Sequence, residues 1–164
     1  MPDSVASNIS LRPMRADDIP TLFEIQLDET GQHLAAFTDV KTARDADAFR
    51  QKYQKILADD AIVNRVIEID GEIVGSVATF PIEGDMELTY WIRKDWWGRG
   101  VASAAVAKLL DEVAVRPIYG RVVEDNVGSV RVLERNGFVR VGSEAAFAPG
   151  RQATVTELTF KLDG

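Results

Sequence analysis

A mixed α/β fold, with a central sheet of about seven strands and about four flanking helices, is the class that the sequence predicts. Three observations predict it. Stretches with helical spacing of apolar residues alternate with stretches of strand-like alternation, and a glycine-rich turn stands between a strand and a helix. The length of 164 residues, 46% of them apolar, suffices for one compact core. We therefore expect a single domain over residues 1–164.

The first third of the chain predicts one strand and two helices. Residues 8–14 have the pattern of a strand, and a helix is expected to open at Asp17-Asp18, with Pro20 accepted in its first turn. Apolar residues recur at helical spacing over residues 45–58, which predicts the second helix. The intervening residues 31–40 have no clear pattern.

The middle of the chain predicts an antiparallel hairpin followed by a third strand. Residues 62–69 and 72–80 are strand-like and are joined by Asp70 and Gly71, a pair typical of a tight hairpin turn. A further strand over residues 86–92 leads directly into the glycine-rich turn.

The last third predicts two more helices and three more strands. The expected elements are a helix over 101–115, a strand over 117–123, a short helix over 126–135, and closing strands over 138–143 and 154–162. The predicted order is one strand, two helices, three strands, a helix, a strand, a helix and two strands.

Composition restricts the class of function and the compartment. No apolar run approaches the roughly 18 residues that a membrane span needs, and the first residues lack a signal-peptide pattern, so we expect a cytoplasmic protein without membrane contact. Cysteine is absent, which excludes disulfides and thiolate metal sites. A net charge of -7 argues against a nucleic-acid partner. We predict no metal, because the single histidine, His33, has no second ligand at metal spacing.

The glycine-rich turn is the strongest candidate for a binding site. Glycines let backbone amides approach an anion closely, and the following helix points its positive end at the same place, so the turn is suited to a diphosphate. The residues of this loop are Trp97, Gly98, Arg99, Gly100, Val101 and Ala102. A tight strand-to-helix turn without a ligand is the alternative, and Arg99 either adds charge to the site or faces solvent.

Two known phosphate-binding motifs can be compared with this loop. A nucleoside-triphosphate loop is excluded, because no Gly-Lys-Ser/Thr follows. The NAD(P)-type dinucleotide fingerprint fits better: only Ser103 departs from it, and Glu124 lies at about the distance of an acidic ribose contact. The preceding antiparallel hairpin argues against the doubly wound sheet that this alternative requires.

Four stretches together resemble the GNAT family of N-acetyltransferases. They are ELTYWI at residues 87–92, WWGRGVA at 96–102, NVGS at 126–129 and VLERNGF at 132–138. Their order and spacing are similar to the family along essentially the whole chain. The likeness is greatest to the branch typified by the bacterial ribosomal-protein N-terminal acetyltransferases. One departure is Trp97, where the family usually has glutamine or arginine.

The resemblance implies a fold in which strands 86–92 and 117–123 begin parallel and then splay apart. The pantetheine arm of acetyl-CoA would enter this wedge, and coenzyme A would leave as product. Backbone groups of the first strand, Trp91 and Ile92 included, would bond the arm, and amides of the loop at residues 97–102 would hold the pyrophosphate.

The family's reaction requires an amine to lose a proton and a thiolate to be stabilised. Glu87 is the expected base; an ordinary exposed strand residue is the alternative. The family's usual tyrosine acid is replaced here by Leu133. We expect Ser129 to act in its place, with Asn126 orienting the cofactor arm or the serine; a helix cap and a first-turn residue are the alternatives. Tyr119 is a further candidate donor.

The acceptor is the least determined part of the prediction. The resemblance favours a peptide amino terminus over a small-molecule amine, and it makes a homodimer possible. The acceptor cleft is expected between residues 30–40 and 144–151, which carry two acidic and two aromatic candidates: Asp39, Glu144, Phe37 and Phe147. A homologue that binds acetyl-CoA without transferring it is a third hypothesis, supported mainly by Leu133.

Overall fold

Seven strands form one mixed sheet in the order β1-β2-β3-β4-β5-β7-β6. The computed structural model describes residues 8–35 and 44–164. Within them, the strands are β1 (Ile9–Pro13), β2 (Val63–Ile69), β3 (Glu72–Ile82), β4 (Asp85–Ile92), β5 (Ile118–Val123), β6 (Val139–Ala148) and β7 (Ala153–Leu162). The predicted number and order of strands are confirmed.

Five helices flank the sheet in the described part of the chain, one more than the approximate number predicted. They are α1 (Ile19–Gln26), α2 (Glu29–Ala35), α3 (Ala46–Leu57), α4 (Val101–Glu112) and α5 (Val127–Arg135). Two short 3-10 turns, Ala16–Asp18 and Lys94–Trp96, precede α1 and the glycine loop. None of the helices in the described ranges is long and apolar enough to cross a bilayer.

The additional helix, α2, lies in the stretch that had no clear pattern. Its interior contains Gly31, which lowers helix propensity by roughly 1 kcal/mol relative to alanine. The glycine is required by packing, because a Cβ at this position would lie 2.9 Å from Cζ2 of Trp91. A tertiary contact therefore explains why the local sequence does not look helical.

The hairpin between β2 and β3 forms as predicted. Asp70 and Gly71 both have positive φ angles, 53° and 80°. Two successive left-handed residues match the turn that suits the twist of antiparallel strands. The two strands pair antiparallel from Val63 opposite Thr79 to Ile69 opposite Glu72.

Only one neighbouring pair of strands in the described sheet, β4 and β5, is parallel. Its pairing consists of Met86 opposite Ile118 and Glu87 opposite Tyr119. Beyond Glu87 both strands continue without pairing to each other. The structure thus confirms the splayed parallel pair and places the opening of the wedge directly after Glu87.

The two faces of the sheet carry different helices. Leu88 shares a core with buried residues of α4 and α5, among them Val106 and Leu133. Trp91, three positions along the same strand, packs on the other face, where α1 and α3 contribute Leu22 and Phe49. Because successive strand residues alternate between faces, Glu87 lies on the Trp91 face and Tyr90 on the Leu88 face.

A buried ion pair joins β1 to the turn before α1. The Asp18 carboxylate accepts from Nη1 and Nη2 of Arg12 at 2.8 and 2.7 Å and from the Arg15 amide at 2.8 Å. Its side chain is 6% exposed. The bonds from Arg12, with help from the Arg15 amide, hold the pKa of Asp18 below its usual range.

We expect Asp18→Asn to lower the free energy of unfolding by about 2 kcal/mol, because Arg12 loses a buried partner. The pKa of Asp18 is depressed in the fold, so its contribution is present above the ordinary carboxyl pKa. It is lost as the pH falls through the folded value. Denaturant melts at pH 7 and at acidic pH measure both effects. Asp17→Asn, an exposed change in the same turn, is the control; equal melts for the two variants would contradict the assignment.

Candidate active site

The glycine loop between β4 and α4 has a left-handed backbone at both of its glycines. Gly98 and Gly100 have φ angles of +74° and +79°, and a Cβ at either would meet no atom within 4 Å. Backbone conformation, and not lack of space, therefore selects glycine. Gly100 directly precedes α4, whose first turn has no side-chain cap. The loop thus offers an open surface at a positive helix end.

Trp97 attaches the glycine loop to the end of β4. Its indole Nε1 donates to the carbonyl oxygen of Ile92 at 2.8 Å. This carbonyl is one of the backbone groups expected to bond the cofactor arm. The bond from Trp97 occupies one of the two lone pairs of the Ile92 oxygen, and the other can still accept a hydrogen bond. The guanidinium of Arg99 lies 4.8 Å from the ring centroid of Trp96. This contact holds Arg99 at the exposed side of the loop.

Glu87 is buried at the point where β4 and β5 separate. It is 7% exposed, and its Oε2 accepts from Nε of Arg121 at 3.1 Å. The alternative of an ordinary exposed strand residue is therefore wrong. The carboxylate faces the side of the sheet that carries α1 and α3.

Arg121 is shared by three carboxylates. Besides Glu87, its Nη1 lies 3.9 Å from Oε1 of Glu144 and 4.0 Å from Oε1 of Glu157. Burial raises the pKa of Glu157; Arg121 opposes this, and the neighbouring Glu144 and Glu87 add to it. When all four groups are ionised, the cluster has an excess of negative charge on the Glu87 face.

Asn126 and Ser129 lie at the start of α5, beside the open end of the wedge. Asn126 is the N-cap, and its Oδ1 accepts from the Ser129 amide at 3.3 Å. Its Nδ2 also donates to the carbonyl of Leu34 on α2 at 3.5 Å. The capping interpretation of Asn126 is confirmed, and the cap places the Ser129 hydroxyl close to β4.

Tyr90, which no sequence pattern singled out, contacts Ser129 across the wedge. Its hydroxyl donates to Oγ of Ser129 at 2.6 Å, which links the splayed part of β4 to the first turn of α5. Burial raises the pKa of Tyr90 to about 12 despite the hydrogen bond to Ser129. The sequence does contain one signal for Tyr90. It lies three residues after Glu87 in the same strand, and an odd spacing places the side chains of Glu87 and Tyr90 on opposite faces of the sheet.

Two other candidate positions lie away from this hydrogen bond. Tyr119 is paired with Glu87, so it lies at the closed end of the wedge and on the opposite face from Ser129. Leu133 is 3% exposed and packs on β5, where a Cβ at Gly120 would lie 2.7 Å from its Cδ2. Leu133 is thus a core residue of the α5 face.

Residues 8–139 match the acetyltransferase (GNAT) domain family. The chain belongs to the GNAT family of acetyltransferases. A curated relative, the uncharacterized N-acetyltransferase p20 of Bacillus licheniformis, is 26% identical over 94% of this chain and 92% of its own length.

Solved structures of GNAT enzymes share the fold. The ribosomal-protein-alanine N-acetyltransferase of Brucella melitensis superposes with a TM-score of 0.79 at 19% identity, covering 94% of this chain and 99% of that one. The spermidine N-acetyltransferase of Vibrio cholerae, in complex with CoA and spermine, superposes with a TM-score of 0.77 at 21% identity, covering 94% and 96%. The doubly wound sheet required by the dinucleotide alternative is absent from the described fold, which has one parallel strand pair.

One wall of the GNAT wedge is held by a guanidinium clasp. Arg151, in the turn between β6 and β7, binds both carboxylate oxygens of Asp125 at 2.7 Å and donates from Nε to the carbonyl of His33 at 2.6 Å. The clasp joins α2 to the segment before α5. Of the cleft residues predicted from sequence, Phe37 and Asp39 lie outside the described residues.

Proposed function

We propose that this GNAT domain transfers the acetyl group of acetyl-CoA to a primary amine by direct attack and releases coenzyme A. The observation that carries the proposal is the separation of β4 and β5 directly after Glu87. The glycine loop and the first turn of α5 lie at the open end of this separation. A narrow ligand with a diphosphate at one end fits such an arrangement.

The residues of the open end fit acetyl-CoA. Left-handed glycines and an uncapped helix start support diphosphate binding by the amides of Gly98 to Ala102, and Arg99 adds positive charge. The unpaired backbone of β4, up to Trp91 and Ile92, supports binding of the amide-containing arm. Asn126 and Ser129 complete the cofactor site at α5. Acetyl-CoA itself supplies an activated acetyl group on sulfur.

Glu87 accepts the proton of the attacking amine, directly or through a water molecule. Two observations support this role. Glu87 is buried, and it lies on the Trp91 face of the sheet, so the proton acceptor and Ser129 on α5 are on opposite faces. Ser129 donates a hydrogen bond to the departing sulfur from the other face, and Asn126 orients the helix turn that carries it. A cationic amine loses two protons on its way to the amide: one ends on the sulfur of CoA, and the other is released to solvent through Glu87.

The acceptor in this proposal is a cationic amine, either a peptide amino terminus or a small-molecule amine. Three carboxylates around Arg121 on the Glu87 face support an acceptor that arrives with positive charge. The two solved relatives described above are named for different acceptors, a ribosomal protein and spermidine. Both classes therefore belong in the acceptor screen.

A thermal-shift panel with acetyl-CoA, CoA, NAD and NADP tests the cofactor. A ligand at about 100 times its dissociation constant adds roughly 2.7 kcal/mol of stability. We expect stabilisation by acetyl-CoA and CoA alone. Stabilisation by NAD and not by CoA would overturn the proposal and direct attention to Glu124.

Thiol release distinguishes an enzyme from a homologue that only binds acetyl-CoA. The chain has no cysteine, so a thiol reagent reports only the CoA that is released. Peptides and polyamines are added in turn as acceptors, and the acetylated product is confirmed by mass. Binding of acetyl-CoA without release above the rate in water, for every acceptor, would favour the non-catalytic hypothesis.

Glu87→Gln is expected to slow turnover at neutral pH by about 100-fold, the lower range of general-base effects. The affinity for acetyl-CoA should change by less than about two-fold, because the change lies on the face opposite α4 and α5. Steady-state kinetics and calorimetric titration measure the two quantities. Glu134→Gln, an exposed change on α5, is the control. Unchanged turnover in Glu87→Gln would remove this residue from the mechanism.

A further inference from the structure

The hydrogen bond between Tyr90 and Ser129 crosses from β4 to α5 beyond the last paired residues of the wedge. We infer that Tyr90 is a positioning residue, which holds the Ser129 hydroxyl so that its proton is directed at the sulfur of bound CoA. This inference rests on the proposed function, because it assigns a role within the same site.

The pairing of the two hydroxyls is the first argument. The oxygens of Tyr90 and Ser129 lie 2.6 Å apart, and each hydroxyl can both donate and accept. When Ser129 donates its proton to a sulfur in the wedge, its Oγ accepts the proton of Tyr90. Among the described residues, no other side chain or carbonyl bonds Oγ of Ser129. A hydroxyl that accepts one strong hydrogen bond is also a better donor, since successive hydrogen bonds polarise one another.

The state of the phenol is the second argument. Burial raises the pKa of Tyr90 to about 12, so the phenol keeps its proton throughout the physiological pH range. An ionised phenol would accept from Ser129 and turn the serine proton away from the wedge. The buried neutral phenol therefore has a proton to donate to Ser129, and no proton leaves Tyr90 during the reaction.

The placement of the other tyrosines is the third argument. The chain has three tyrosines. Tyr53 on α3 accepts a hydrogen bond from Gln26 on α1, and Tyr119 lies at the closed end of the wedge. Leu133, where many GNAT proteins have a tyrosine, is packed on Gly120. Tyr90 is thus the phenol that contacts the start of α5, and it reaches the wedge from the opposite strand.

The thiol pKa of bound CoA tests this inference without an acceptor or turnover. A hydrogen-bond donor lowers that pKa below the value of CoA free in solution by stabilising the thiolate. The thiolate is followed by its ultraviolet absorbance across a pH titration of the protein–CoA complex, and no protein thiol contributes to it. We expect Tyr90→Phe and Ser129→Ala each to raise the thiol pKa by about one unit.

The double variant separates a positioning role from a packing role. If Tyr90 acts through Ser129, the double variant Tyr90→Phe/Ser129→Ala has the same thiol pKa as Ser129→Ala alone. Tyr119→Phe removes a hydroxyl on the other face of the sheet, so the thiol pKa of bound CoA should stay at its wild-type value. An unshifted pKa in Tyr90→Phe, or an equal further shift in the Ser129→Ala background, would overturn the inference. Failure of the wild-type protein to bind CoA would instead overturn the proposed function.

The fold of each variant is checked by its thermal melt and by its affinity for CoA. Phenylalanine keeps the ring that packs against the α4 and α5 core and removes only the hydroxyl. If Tyr90→Phe does not fold, Ser129→Ala alone decides: a wild-type thiol pKa in that variant would also overturn the inference.

Discussion

Gly100→Asp is expected to weaken acetyl-CoA binding by about 100-fold or more. The new carboxylate would stand at the first turn of α4, close to the proposed pyrophosphate site, where repulsion between like charges amounts to several kcal/mol. The positive φ angle of Gly100 strains any side chain by about 1–2 kcal/mol, but a Cβ there meets no atom within 4 Å, so the variant should fold with reduced stability. Calorimetric titration with acetyl-CoA measures the loss, and a thermal melt without ligand checks the fold.

Gly100→Asn is the matched control for that experiment. Asparagine has nearly the shape of aspartate, tolerates the left-handed backbone and can cap the helix in the same way, so the two variants differ in charge. The asparagine variant should lose much less affinity than the aspartate variant. Equal losses would show that backbone shape and not phosphate charge controls binding, which would contradict the diphosphate assignment.

Gly75→Ala is expected to destabilise the protein by about 3 kcal/mol, near the upper range for overpacked interior positions. A Cβ at this position would overlap the backbone oxygen of Trp91 and would lie 3.1 Å from Cα of Ile92. Backbone atoms on a paired strand have little freedom to move aside, so β4 would have to shift away from β3. Because β4 is one side of the wedge, CoA affinity should fall together with stability.

Gly142→Ala is the comparison for this change. Gly142 also lies in a strand, has no positive φ angle, and a Cβ there would meet no atom within 4 Å. Its variant should melt within about 2 °C of the wild type, whereas Gly75→Ala should melt about 6–12 °C lower. Similar melting temperatures for the two variants would contradict the packing argument.

Local patterns predicted most of the fold correctly. The Asp70-Gly71 turn determines a backbone shape by itself, and the glycine loop is recognisable because a strand and a helix flank it. Boundaries were less accurate. Helix α4 ends at Glu112 and not near 115, and β6 continues to Ala148 through pairing with β7. Such ends depend on distant partners, which a local pattern does not contain.

The part of the candidate site that consists of consecutive residues could be predicted from the sequence. The part that depends on contacts between distant segments could not. The loop at residues 97–102 was found because its residues are consecutive. The bond from Tyr90 to Ser129 joins residues 39 positions apart, and it depends on how far β4 and β5 diverge. The ion pair of Glu87 with Arg121 depends on the same geometry. No local spacing reports either contact.

The contacts made by Arg151 should break in local unfolding before the sheet unfolds. Its bonds join residues 118 and 26 positions apart in the chain, whereas three of the six neighbouring strand pairs in the described sheet are connected by short turns. Contacts that close long loops form late, and clusters of exposed bonds open at low free energy. The wall formed by α2 and the β6–β7 turn should therefore exchange its amide hydrogens sooner than the sheet beneath it. This part of the domain could then open while the core of the sheet stays folded.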